Sequence, residues 1–316
     1  MLAGAKCLCG GQMAPWLHMP VDAKKNEPTA YSTVLKCEQC GLGSLSPLPD
    51  ADTIPDFYVL DRYYTHGEGH IEAVPTTVAD KLLIKAAWLA DRSDPFEPEK
   101  IAQSLRPGAR ICDLGCGDAA YLQQFMALGF DVLGVDPDPS ARERAAQAGV
   151  TVLEGTAEDL PDIQGKFDLV LMTHSLEHCR NPAKALANAN FLTKPGGACY
   201  IEVPNCSAEH FRMFTVCSEM FDAPRHIHFF TPGSLEEQCR RAGFALKKRL
   251  FSGYVREFGP GWRAWECKIA DRVRMVDPGM RVRRHSFAAS VALFLRSFWR
   301  TRERKYDCVG LLLSKA

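Results

Sequence analysis

The stretch Ala109–Phe125, "ARICDLGCGDAAYLQQF", decides the fold. A short apolar run ends at Asp113, two glycines follow at Gly115 and Gly117, and a helical pattern starts at Ala120. Tyr121, Phe125 and Leu128 then fall on one face of that helix. Glycines so placed let the backbone turn tightly and approach a ligand closely. A strand, a glycine turn and a helix also form the opening unit of a parallel α/β sheet.

Outward from this unit, strands and helices alternate. "FDVLGVD" predicts a second strand and "SARERAAQAG" a helix ending at glycine; "VTVLEG" is a short strand. "KFDLVLMT" predicts a fourth strand, "NPAKALANANFL" a helix and "GGACYIEVPN" a fifth strand. In "TPGSLEEQCRRAGF", Thr231 is an N-cap, Pro232 opens the helix and Gly243 lies past its end. "ALKKRLF" and the apolar "YDCVGLLLSKA" are the last two strands. Upstream, Val78–Arg92 predicts a helix with Leu82, Leu83, Ala86, Leu89 and Ala90 facing inward.

Composition sets limits on function. With 316 residues, 46% hydrophobic and 24% charged, the chain is of the ordinary globular class, and its formal net charge of zero gives no field favouring nucleic acid. No basic, apolar leader opens the sequence and no apolar run reaches membrane-spanning length, so a cytoplasmic protein is expected.

The glycine turn alone also suits a dinucleotide, which keeps an NAD-dependent oxidoreductase in play. Asp113 argues for a ligand carrying an ammonium group, and Asp136, ending the second strand, suits ribose hydroxyls. Five segments in order make the distinction. "ICDLGCGDA", "LGVDPDP", "EGTAEDLP", "FDLVLMTHSLEH" and "LTKPGGACYIEVPN" resemble the motifs of class I S-adenosylmethionine-dependent methyltransferases. The resemblance runs from Arg110 to Asn205, and "HIHFFTPGSLEEQCRRAGF" extends it to Phe244. It implies a Rossmann-like, doubly wound seven-stranded sheet whose last strand is antiparallel. It also implies that Asp113, Gly115 and Gly117 meet the methionine end, Asp136 the ribose, and Ala157 and Glu158 the adenine, with His174 beside the cofactor. Two positions depart from the pattern: Ala119 replaces a glycine, and Thr156 replaces an acid, which leaves the adenine amino group to Glu158 or Asp159. A non-catalytic scaffold on the same fold is the competing reading.

Histidine suits the removal of an acceptor's proton near neutral pH. His178, His226 and His228 are the candidate catalytic residues, the last two expected to share a face. "SLEH" is similar to a segment of the ubiquinone-pathway O-methyltransferases that holds a divalent metal, but one acid of that set is His174 here. The expected acceptor is a hydroxyl on a glycan, a glycolipid or a small metabolite.

Four of the thirteen cysteines form two glycine-followed pairs, Cys7 with Cys9 and Cys37 with Cys40. Paired thiols at this spacing fit the two knuckles of a zinc-ribbon-like module with structural Zn²⁺, set against four unligated thiols in a loose arm. Near the other end, Phe287, Val291, Phe294, Leu295, Phe298 and Trp299 share a helical face flanked by arginines. Such a segment (287–299) lies on an anionic membrane, peripheral to its inner face, or packs on the domain or across a homodimer. The arginines lack the interleaved aromatics of a nucleic-acid groove. The expected divisions are a ribbon (1–50), a linker and helical cap (51–100), the cofactor core (101–251), a basic insertion (252–305) and the last strand (306–316). The cofactor core is expected to be independent of the ribbon.

Overall fold

The computed structural model describes residues 6–60 and 71–315; residues 61–70, within the aromatic stretch after the ribbon, lie outside these. The N-terminal module has strands β1 (Met13–His18), β4 (Thr33–Cys37) and β5 (Gly43–Ser46), with a side hairpin of β2 (Val21–Asp22) and β3 (Glu27–Pro28). Helices α1 (Val78–Ala90) and α2 (Pro98–Ala102) lead into the core.

The core runs β6 (Arg110–Leu114), α3 (Ala120–Ala127), β7 (Asp131–Val135), α4 (Pro139–Gln147) and β8 (Val152–Leu153). It continues with β9 (Phe167–Thr173), α5 (Pro182–Leu192) and β10 (Thr193–Pro204). After β10 come α6 (Glu209–Phe214), β11 (His228–Phe229), α7 (Pro232–Arg241) and β12 (Phe244–Ser252). Three further helices, α8 (Pro260–Val276), α9 (Phe287–Ser297) and α10 (Arg302–Lys305), precede β13 (Cys308–Lys315).

Seven strands form the main sheet in the order β12-β13-β10-β9-β6-β7-β8. Only β13 runs antiparallel to its neighbours, as the resemblance implied. Central strands such as β6 and β9 are buried along most of their length and mainly apolar between their ends because helices cover both faces. Local signals set the helix starts. Thr231 and Ser234 close a capping box on α7, and the carboxylate of Asp138 accepts from Ser140 N–H at the head of α4.

Three expectations need correction. The ribbon is not independent of the rest. Strand β11 pairs with β5, giving one sheet ordered β1-β4-β5-β11 that spans both parts. Trp16 stacks on Phe211 of α6 at 5.7 Å, and Arg225 donates to both oxygens of buried Asp22 at 2.6 and 2.9 Å. An ion pair so deeply buried is costly to break from one side.

Helix α1 is rotated from its predicted face. It buries Asp80, Leu83 and Ala87, while Leu82 and Leu89 are exposed. Asp80 caps the helix through Thr77 and pairs with Arg263 of α8 at 2.6 Å, which fixes the rotation.

The insertion is built differently from its apolar pattern. Its longest helix, α8, had no expectation attached, and α9 buries Ala289, Ser290, Leu293 and Ser297 while Leu295 and Trp299 stay exposed. Arg304 lies 2.6 Å from buried Glu209, with Arg296 and Arg300 each 3.4 Å away. Those three arginines therefore neutralise a buried carboxylate of α6.

Candidate active site

The carboxyl ends of β6, β7, β9 and β10 carry the cofactor motifs, where open α/β sheets bind ligands. Gly115 and Gly117 both take positive φ, +79° and +54°. A Cβ on Gly115 would stand 2.5 Å from the Cβ of Ser175, whereas nothing lies within 4 Å of one on Gly117. Gly115 is thus needed for packing, and Gly117 faces open space. Ala119 adopts φ +62°, so the fold accepts a left-handed alanine where the family pattern has glycine.

Asp136 accepts from Gly117 N–H (2.8 Å) and Asp138 N–H (2.9 Å), which aims its carboxylate across the turn. Asp113 is buried, and its Oδ1 has no partner. Burial, with Asp136 beside it, pushes its carboxyl up to about 7. An orphaned buried carboxylate at the glycine turn fits the ammonium group of S-adenosylmethionine. Ala157 is buried at the edge of the same region. Glu158 is engaged by the backbone: its oxygens accept from Asn181 N–H (2.7 Å) and Arg180 N–H (2.9 Å), holding the head of α5. Asp159 pairs with Lys184 at 2.5 Å.

His174 follows β9 with φ +52°, a strained setting for a side-chain-bearing residue. Its imidazole lies between Glu177 (3.3 Å) and Glu202 (3.4 Å), with Cys308 Sγ at 3.8 Å. Burial opposes its charge, but Cys308 and the two carboxylates raise its pKa well above the usual value. The flanking carboxylates favour its charged form.

His178 and His226 meet edge to face at 4.7 Å. His178 Nδ1–H donates to the Arg225 carbonyl at 3.0 Å, and the Tyr58 hydroxyl lies 2.9 Å from the same nitrogen. His226 Nδ1–H donates to the Met220 carbonyl, also at 3.0 Å. These bonds set the tautomers and leave each Nε2 lone pair without a partner among the described residues. Glu177 is buried, and its Oε2 is equally unpaired. Glu177, His178 and His226 each offer a carboxylate oxygen or ring nitrogen within 4.8 Å of those of the other two. Burial, aided by His226, holds His178 down to about 4, and burial also lowers His226.

His228 does not share a face with His226. It sits in β11, where Nδ1 lies 2.8 Å from Ser44 Oγ of the ribbon and Nε2 faces the Arg180 carbonyl at 3.4 Å. Both nitrogens are engaged, so His228 joins the two parts of the molecule and stands apart from the Glu177, His178 and His226 cluster. Sequence reasoning passed over Glu177 and Tyr58. The first stood inside the quoted "SLEH"; the second reaches His178 across 120 residues and leaves no local signal.

The four ribbon cysteines converge. Their sulfurs lie within 4.8 Å of one another, with Cys7–Cys40 at 3.6 Å and Cys9–Cys37 at 3.5 Å. Tetrahedral Zn²⁺ with Zn–S near 2.3 Å requires sulfurs about 3.8 Å apart. Gly11 N–H donates to Cys9 Sγ and Cys40 N–H to Cys37 Sγ, both at 3.4 Å, as knuckle amides do toward thiolates. A groove of about 610 Å³ lies elsewhere, between Trp16 and Lys36 of the ribbon and the start of α7, and none of these histidines lines it.

Comparison with known proteins agrees with this geometry. A family model described as a methyltransferase domain matches residues 94–248. The chain is 35% identical over 161 residues to a ubiquinone biosynthesis O-methyltransferase of Azorhizobium caulinodans, covering 46% of this chain and 64% of that one. A Cereibacter sphaeroides protein of the same name is 34% identical over 177 residues, covering 52% and 69%. The chain thus spans less than two thirds of the first relative and slightly more of the second. These relatives are named for a quinone pathway, not for glycans or glycolipids. The fold matches a Galdieria sulphuraria structure named for sarcosine dimethylglycine methylation, at TM-score 0.50 and 15% identity over 84% of this chain and 98% of that one. From cofactor turn to sheet order, the chain belongs to the class I S-adenosylmethionine-dependent methyltransferases.

Proposed function

We propose that this enzyme methylates a hydroxyl of a small aromatic acceptor. Asp113 takes the cofactor's ammonium, the Gly115–Gly117 turn admits its methionine end, and Asp136 takes the ribose hydroxyls. The observation that carries the acceptor reading is the cluster of Glu177, His178 and His226, in which Glu177 Oε2 is unpaired and the two Nε2 atoms accept no hydrogen bond among the described residues. A ligand that brings an acidic O–H completes them. His178, held near 4, is a weak base. It matches a phenolic hydroxyl, whose pKa is ~10, better than the more weakly acidic hydroxyl of a sugar. The quinone-pathway relatives support the same class.

Transfer is an in-line displacement at the sulfonium carbon, so positioning carries much of the rate. Tyr58 and the Arg225 carbonyl orient His178, and the Met220 carbonyl orients His226. The hydroxyl's single proton passes to His178 Nε2, with His226 beside it and Glu177 stabilising the imidazolium that results. The same three atoms would hold a divalent metal, which when bound would place positive charge beside the acceptor oxygen. In that case His226 takes the place left by His174, which turns to Glu202. The ribbon cysteines hold structural zinc, and elemental analysis should find one ion per chain.

The test is transfer of a labelled methyl group to a panel of catechols, phenols and sugar alcohols. Label should enter the phenolic compounds, and His178→Asn should slow turnover about 10²- to 10⁴-fold with cofactor affinity unchanged. Label confined to sugar alcohols would refute the aromatic acceptor.

A further inference from the structure

The solvent-facing side of α1 is as apolar as its buried side. At 100° per residue, inward-facing Asp80, Leu83 and Ala87 occupy one arc. Val78, Lys81, Leu82, Lys85, Trp88 and Leu89 fall on the opposite arc, and all six are exposed. Leu82 is 64% and Trp88 68% accessible. Helix α9 packs against α1, and Leu295 near its end and Trp299 in the turn after it are also exposed, the latter 88% accessible.

We infer that this α1 face, extended by the end of α9, docks on an anionic lipid surface. Three features select that occupant. Val78, Leu89 and Leu82 lie side by side along one edge of the stripe and Lys85, Lys81 and Trp88 along the other, so one exposed surface presents an apolar strip with a basic, tryptophan-bearing flank. Lys81 and Lys85 have no ion-pair or hydrogen-bond partner among the described residues, and no acidic residue lies on the stripe. A two-fold contact with a second copy would bring those lysines toward one another with no carboxylate between them. The centre of a protein interface is depleted in lysine, whereas anionic headgroups attract it. The inference does not depend on the acceptor. It also differs from the docking expected of residues 287–299 alone, whose arginines are held by Glu209.

The experiment is co-sedimentation of the full chain with vesicles of phosphatidylcholine alone and of phosphatidylcholine with 30% phosphatidylglycerol. The protein should pellet with the anionic vesicles and not with the neutral ones, and raising salt toward 0.5 M should release it. Each lysine lost should weaken binding about five-fold, so Lys81→Gln with Lys85→Gln should cost about 25-fold. Leu82→Ser with Trp88→Ser should abolish pelleting while the thermal midpoint and cofactor affinity hold. No pelleting with anionic vesicles, or equal pelleting with neutral ones, would overturn the inference. So would sedimentation equilibrium showing a dimer that Leu82→Ser splits, which would make the face a protein interface.

Discussion

The two halves of the active site are assembled in opposite ways. The cofactor half is local: Asp113, Gly115, Gly117 and Asp136 lie on two adjacent strand ends within one short segment. The acceptor half is composite. Glu177 and His178 follow β9, His226 precedes β11, Tyr58 comes from the segment after the ribbon, and the Asp22–Arg225 pair fastens the whole to the N-terminal module. A site made from one segment depends on that segment's own conformation. A site made from several depends on every joint between them.

The comparison can be broken most forcefully at the four ribbon cysteines, the proposed zinc site. Structural zinc contributes on the order of 10 kcal/mol to small modules. Cys37→Ser should therefore unfold the ribbon and strip β5 from β11. Methyl transfer should vanish, while calorimetry at low temperature still finds the cofactor bound. Loss of cofactor affinity in proportion would show that the two halves stand or fall together.

A pH series sharpens the other half. The carboxyl of Asp113 is pushed up to about 7, so below that pH it is largely protonated in the free protein and must shed a proton to meet an ammonium. Burial also raises Asp136, which adds a dependence of the same sign. Cofactor affinity should rise about tenfold per unit between pH 5.5 and 7 and then level off. A flat profile would remove Asp113 from the ammonium site.

The smallest effect is expected at Ser44. Ser44→Ala deletes the contact to His228 Nδ1 and should cost about 1 kcal/mol of stability, read from urea unfolding. Turnover should stay within about two-fold, because His228 joins strands and stands apart from the Glu177, His178 and His226 cluster. A large fall in turnover with unchanged stability would return His228 to the chemistry.

What was legible in the sequence follows the same division. The main strand order and the cofactor turn could be read because glycines, strand-ending acids and apolar runs encode them locally. The face of α1 could not, because the pairing of Asp80 with Arg263, 183 residues away, overrides apolar periodicity. The split between His226 and His228 was equally hidden. Alternation implied a shared face, but only His228 lies in a strand, one of two residues whose partner belongs to the ribbon. The knuckle spacing marked the four cysteines, yet nothing in it announced that their sheet would take a strand from after β10.

The position of β13 bears on how the protein is made. This strand lies between β10 and β12, and β12 has no other neighbour in the sheet. A nascent chain that has emerged only through Ser252 therefore holds β12 with both edges open. Asn205, at the end of β10, bonds to the Glu303, Tyr306 and Asp307 carbonyls, so its partners also arrive late. On the ribosome the Rossmann half can condense early, whereas the sheet's far edge waits for a strand synthesised more than fifty residues later. Until then an apolar edge is available to chaperones, or to the wrong neighbour.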